Sequence, residues 1–185
     1  MRGLIPRAPL TLGLAGLIPF VWGAATLYSD TLGALGSQWF GPRFVGPYVQ
    51  LAYGTIILAF MSGALWGFAT RAEAQVAATA YVLSVIPALW AFFFVGGGPT
   101  SAAIYLMAGF VGLLGIDWLF WKQNLTPHWW FRLRALLTAG VVICLLLTLA
   151  AIGGGAFRVY RRGRFRQCGA GRLGCAADRA RRKSR

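Results

Sequence analysis

Five long apolar stretches constrain this chain more than any other feature of its sequence. They lie near residues 9–28, 47–69, 75–95, 101–121 and 131–152. Each can cross a bilayer as a helix, because the hydrocarbon core is about 30 Å thick and needs about 20 apolar residues. A backbone in hydrocarbon must satisfy its own hydrogen bonds, so each crossing is predicted to be helical. The sequence therefore predicts an all-α, polytopic membrane protein, a compact bundle of about five transmembrane helices.

The formal net charge of +14 divides the chain into two parts. Residues 1–155 carry seven lysines and arginines against three acids, whereas residues 156–185 carry eleven against one. We expect a five-helix transmembrane domain over 1–155 and a basic, disordered tail over 156–185. Two interpretations of the tail stay open: a polybasic arm that contacts anionic lipid or nucleic acid, or a non-native terminus such as a shifted reading frame encodes. No known nucleic-acid module is visible, so the bilayer is the predicted partner.

Prolines mark irregular points in two of the predicted helices. Pro19 and Pro87 cannot donate a backbone hydrogen bond, so each is expected to kink its helix and to free the carbonyl four residues earlier. Thr126 is predicted to cap the last helix, with Pro127 as its first residue. The first apolar stretch is expected to be a retained helix, because it is longer than the 7–15 apolar residues of a signal peptide.

Small residues recur at a helix-packing spacing in two of the stretches. Gly63 and Gly67 form a GxxxG pattern, and Ala108 and Gly112 repeat the four-residue spacing. Such faces let helix backbones approach closely in lipid. They predict helix packing, either within the bundle or with a membrane-protein partner or a second copy of the chain.

Few polar residues lie at membrane depth. Asp117 is the only carboxylate there, and it has two interpretations: an anchor paired with Lys122, Arg132 or Arg134, or a proton or cation site. The anchor is favoured because a charge near a helix end reaches a partner or water at low cost. His128 is the only histidine, so it has no companions for a haem or metal site. No catalytic, cofactor or metal site is predicted.

Several phrases resemble one family of small membrane proteins, the domain of unknown function 3429, which includes the transmembrane protein 69 group. Residues 59–67 resemble its S-F-x-G-G-x-x-W-G pattern, and the departures at Ala59, Met61 and Ser62 change packing volume rather than chemistry. The other phrases lie at 5–9 with 16–20, at 84–89, and at 130–134 with Thr138. The resemblance covers roughly residues 4–152. It implies a helical membrane fold and an inner-membrane address, and it implies no mechanism.

The function predicted from these observations is a structural, assembly or accessory role in a membrane complex, without enzymatic activity. The alternative is a small-solute or ion carrier or channel that uses the proline-broken helices and Asp117. The predicted membrane is the bacterial inner membrane, or the mitochondrial inner membrane in a eukaryote. Without the tail, six basic residues lie on the side of the N-terminus and one on the other. The positive-inside rule therefore predicts a cytoplasmic N-terminus.

Overall fold

The chain forms a bundle of helices in a computed structural model that describes residues 5–154. Within that range there are seven α-helices and one 3₁₀ turn, Pro42–Phe44. The α-helices are α1 (Arg7–Ala15), α2 (Ile18–Tyr28), α3 (Asp30–Phe40), α4 (Gly46–Ala69), α5 (Ala74–Phe94), α6 (Pro99–Lys122) and α7 (Trp130–Gly154).

The predicted five transmembrane helices are confirmed. Five segments in the described range are long and apolar enough to cross a membrane: Arg7–Tyr28, which combines α1 and α2, and then α4, α5, α6 and α7. Successive crossings alternate in direction, so the start of α1, the α4–α5 connection and the α6–α7 connection share one side of the membrane. The predicted tail, residues 156–185, lies outside the described residues.

One helix was not predicted. The break at residues 29–46 contains α3, whose first turn is capped by the Ser29 hydroxyl, an acceptor from the Leu32 backbone N–H at 3.4 Å. The helix exposes Leu32, Leu35, Trp39 and Phe40. A short helix with exposed apolar residues, placed between two crossings, fits the plane of the membrane interface.

The two prolines produce different local structures. Before Pro19 the chain leaves the helix at Gly16 and Leu17, so α1 ends at Ala15, whose carbonyl the proline cannot bond. At Pro87, by contrast, α5 continues unbroken. There the Ser62 hydroxyl of α4 donates a hydrogen bond to the carbonyl of Ser84, next to the carbonyl that Pro87 leaves free. An interhelical hydrogen bond thus joins α4 to α5 one residue from the carbonyl that Pro87 leaves free.

The α2–α4–α6 contact forms the centre of the core. The Phe20 ring meets the Tyr53 and Phe110 rings edge to face, with centroids 5.7 and 6.1 Å away. Gly23 allows the close approach of α2 to α4, because a Cβ atom there would lie 2.8 Å from the carbonyl oxygen of Gly46. A backbone oxygen cannot move aside as a side chain can, so this helix contact requires glycine.

The predicted small-residue faces are not packing sites inside the bundle. Gly63, Gly67 and Gly112 are exposed, and a Cβ atom added at any of them would meet no other described atom within 4 Å. Ala108 is exposed as well. The interpretation of an internal bundle contact is therefore corrected for these positions. Spacing identifies a face that permits close packing, but it does not show whether that face points inward.

Candidate functional site

The turn between α6 and α7 determines which side chains meet at that end of the bundle. After α6, Asn124 adopts a left-handed conformation with φ of 56°. Its N–H donates to the carbonyl of Trp121, and the N–H of Leu125 donates to that of Phe120. These are the two hydrogen bonds of a Schellman C-cap, with the buried Leu125 as its apolar contact. The tight turn directs α7 back along α6.

The start of α7 differs from the prediction. The helix begins at Trp130 rather than Pro127, and the Trp130 N–H donates to the Pro127 carbonyl in a preceding turn. Thr126 is not a cap: its hydroxyl is buried and has no hydrogen-bond partner among residues 5–154. After the Schellman turn at Asn124 and Leu125, residues 126–129 complete the connection before α7 starts.

The buried Asp117 and Arg134 and the half-buried Trp130 form a cluster where α6 and α7 meet, which we call the charged cluster. Arg134 Nε donates to Asp117 Oδ2 at 2.9 Å, and Trp130 Nε1 donates to Asp117 Oδ1 at 2.7 Å. Asp117 and Arg134 are 1% and 4% exposed. Trp130 and Arg134 lie four residues apart, so one face of α7 presents both donors to both carboxylate oxygens.

Of the three basic residues predicted as possible partners of Asp117, Arg134 forms the ion pair. The Lys122 ammonium instead lies over the Trp118 ring, 3.9 Å from its centroid. Arg132 and His128 are exposed, and they line a separate cavity of about 420 Å³ with Trp121 and Phe131. A residue two positions from Arg134 points to the opposite side of a helix, which explains why only one of the two arginines reaches Asp117.

A second polar cluster was missed in the sequence. The Gln50 side chain of α4 is fully buried; its Nε2 donates to the Phe20 carbonyl at 2.7 Å, and its Oε1 accepts from the Thr148 hydroxyl at 2.7 Å. We call Gln50, Thr148 and the Phe20 carbonyl the neutral cluster. It connects α2, α4 and α7. A glutamine within an apolar crossing is itself a signal, because its amide needs partners that lipid cannot supply.

The charged cluster contains one carboxylate, one guanidinium and one indole N–H. Within residues 5–154 no three histidine, cysteine, aspartate or glutamate side chains lie close enough together to hold a metal ion. The chemistry that the charged cluster offers is hydrogen bonding and charge neutralisation at a helix contact.

Comparison with known proteins agrees with the resemblance noted in the sequence. Residues 5–150 match the family described as protein of unknown function DUF3429. Transmembrane protein 69 of Xenopus tropicalis is 34% identical over 148 residues, which cover 78% of this chain and 54% of that relative. The chain thus spans about half the length of the relative. No solved structure matches. The chain belongs to the DUF3429 family of integral membrane proteins of unknown function.

Proposed function

We propose that this protein is a non-catalytic accessory subunit of a larger membrane complex, and that a transmembrane helix of the partner packs on its outward-facing small residues. The observation that carries this proposal is the exposure of Gly63, Gly67 and Gly112, which the bundle itself does not use. Glycine inside a helix costs about 0.5–1 kcal/mol relative to alanine. A neighbouring helix that approaches closely would offset that cost.

The groove between α5 and α6, which Gly112 lines, is one place for such a helix. It has a volume of about 330 Å³ and runs past Pro87 and Trp90 on α5 and past Ala108 and Gly112 on α6. The Trp90 indole is held in place by a 2.8 Å hydrogen bond to the Tyr105 carbonyl. The small residues on the α6 wall are a feature of helix-packing surfaces in lipid, and the fixed Trp90 ring forms the opposite wall.

The hydrogen bonds to Asp117 favour an accessory role over a carrier function. A carrier that uses this carboxylate needs it to meet water or a solute, and both of its oxygens are occupied by donors from α7. The proposed inner-membrane address rests on the family resemblance. The proposed cytoplasmic N-terminus rests on the distribution of basic residues.

The test uses Gly112→Leu, which places a bulky side chain in the α5–α6 groove at a position where an added Cβ atom meets no described atom within 4 Å. We expect the variant to fold with an unchanged melting temperature. In mild detergent or in native nanodiscs it should lose a stoichiometric partner, either another protein or a second copy of this chain, that native mass spectrometry detects with the wild type.

Val111→Leu is the matched control, because Val111 is an exposed neighbour on α6 without the small-residue spacing. This variant should keep the partner. The proposal would be overturned by a wild-type protein that is an isolated protomer in native nanodiscs, or by equal partner loss in both variants.

A further inference from the structure

A cavity of about 410 Å³ lies beside the charged cluster, among α1, α2, α4, α6 and α7. Its volume falls in the range of small-molecule pockets, about 300–1,000 Å³. Its wall is almost entirely apolar and includes Leu17, Phe20, Tyr53, Ile57, Phe110 and Val141. Leu12 and Phe60 also line it, and both are largely exposed, so the cavity opens sideways between these two residues at the surface that faces lipid.

Two polar side chains in this wall have unused hydrogen-bonding capacity. Arg134 and Thr138, one turn apart on α7, both line the cavity and are each 4% exposed. The Nη2 atom of Arg134 and the hydroxyl of Thr138 have no hydrogen-bond partner within the described residues. A buried donor left unsatisfied costs about 1–3 kcal/mol. An acceptor inside the cavity would recover that free energy.

The charge of the site decides which acceptor fits. Asp117 already neutralises Arg134, so the pair that borders the cavity carries no net charge. A carboxylate or phosphate in the cavity would be a buried charge without a counterion. A neutral carbonyl oxygen carries no such cost, and its two lone pairs can accept from Arg134 and Thr138 together.

The position of the cavity along the helices indicates where the acceptor comes from. Trp130 begins α7 near the membrane interface, and Arg134 lies about 6 Å deeper along the helix axis. Val141, at the inner part of the cavity, lies about 10 Å deeper still. The donors are therefore at the interfacial end of an apolar slot that runs toward the middle of the bilayer. In a bilayer lipid, the ester carbonyl likewise lies at the interfacial end of the acyl chain.

We propose that this cavity binds one acyl chain of a glycerolipid from the surrounding bilayer, with the ester carbonyl oxygen accepting hydrogen bonds from Arg134 and Thr138. The chain enters between Leu12 and Phe60, and its methylenes lie against the apolar wall. This inference does not depend on the proposed accessory function, because Gly63, Gly67 and Gly112, on which that function rests, do not line the cavity.

The experiment compares a diacyl phosphatidylcholine with its dialkyl ether analogue, which has the same head group and chain lengths but no carbonyl. Full-length protein is delipidated in detergent, and native mass spectrometry counts the lipids retained as each probe is titrated. We expect one site that binds the ester lipid about tenfold more tightly than the ether lipid, which is the effect of about one hydrogen bond to a charged donor.

Thr138→Val removes one donor while keeping the side-chain shape, and it should reduce the preference for the ester lipid. Thr55→Val is the matched control, because the Thr55 hydroxyl donates to the Leu51 carbonyl and does not line this cavity. Equal binding of the two lipids by the wild type would overturn the proposal without reliance on any variant. Tighter binding of oleate than of the ester lipid would also overturn it, because the site would then select a carboxylate.

Discussion

The charged cluster and the neutral cluster hold the same bundle together with different chemistry. The charged cluster joins α6 to α7 through an ion pair and an indole N–H, near the side of the membrane where α7 begins. The neutral cluster joins α4 to α2 and α7 through a single amide, near the side where α4 begins. The charged cluster connects successive helices, with Asp117 and Arg134 17 residues apart, whereas the neutral cluster connects distant ones, with Gln50 and Thr148 98 residues apart.

The two clusters differ in whether all of their polar side-chain atoms have hydrogen-bond partners. Each polar side-chain atom of the neutral cluster has a partner, so that cluster is complete as a structural contact. The charged cluster leaves Arg134 Nη2 without a partner in the described chain, beside a cavity that opens toward lipid. A structural role alone accounts for the neutral cluster. Within the described residues the charged cluster also has a free donor, Arg134 Nη2, that a ligand in the cavity can use. Variants that change one cluster and leave the other intact test this comparison directly.

The largest effect is expected from Asp117→Asn. The amide keeps an acceptor for Trp130 but removes the countercharge of Arg134, which stays buried. Removing one partner of a buried ion pair costs about 3–5 kcal/mol. The free energy of unfolding, measured by titration with SDS in mixed micelles, should fall by that amount, while the bundle still assembles in native-like lipid.

The control for this variant is the double replacement Asp117→Leu with Arg134→Leu, which removes both charges. It should recover most of the lost stability, although Trp130 then lacks its acceptor. A different outcome would favour the carrier alternative: Asp117→Asn with unchanged stability and abolished proton or ion flux in liposomes would mean that the carboxylate serves transport rather than packing.

A smaller effect is expected from Gln50→Met, which keeps the side-chain length and removes the amide. Interhelical hydrogen bonds in membranes contribute about 1–2 kcal/mol at most, because the freed groups find other partners. The Thr148 hydroxyl can turn to a carbonyl of its own helix. The free energy of unfolding should therefore fall by about 1–2 kcal/mol.

Thr148→Val breaks the same contact from the other side. Combining it with Gln50→Met should add little to the loss from Gln50→Met alone, because that change already removes the hydrogen bond that Thr148 shares with Gln50. Fully additive losses, or a loss as large as that of Asp117→Asn, would contradict the distinction between a neutral and a charged cluster.

The membrane crossings could be predicted from sequence, but the side chains that meet between them could not. Length and apolar composition decide whether a segment crosses, and both are local properties. Contacts depend on how each helix is rotated. Gly23 and Gly63 are both helical glycines, yet one meets a backbone oxygen and the other meets nothing described. In the same way, the sequence predicts that Asp117 pairs with a nearby cation. Which cation it pairs with depends on the rotation of α7, which places Arg134 against Asp117.

The missed features have local causes as well. α3 lies in a glycine-containing segment that is too short to cross the membrane. A search for long apolar segments therefore does not predict it. The contact of Gln50 was not predicted, because its side chain carries no charge. An uncharged amide buried in the membrane also needs hydrogen-bond partners. Thr138 lies within the last predicted crossing, but its position beside the unused donor of Arg134 depends on the cavity that the surrounding helices enclose.

The smallest effect is expected at the turn that brings the charged cluster together. Asn124 holds φ at 56°, a conformation that costs a residue with a Cβ atom about 1–2 kcal/mol and that asparagine tolerates better than alanine. Asn124→Ala should therefore lower the free energy of unfolding by about 1 kcal/mol, whereas Asn124→Gly should leave it unchanged or raise it slightly. If the turn acts by setting α7 against α6, the alanine variant should weaken the coupling between Asp117 and Arg134 in a double-mutant cycle and leave that between Gln50 and Thr148 intact. Equal stability of the alanine and glycine variants would show that packing of the buried Leu125, rather than the left-handed residue, determines the turn.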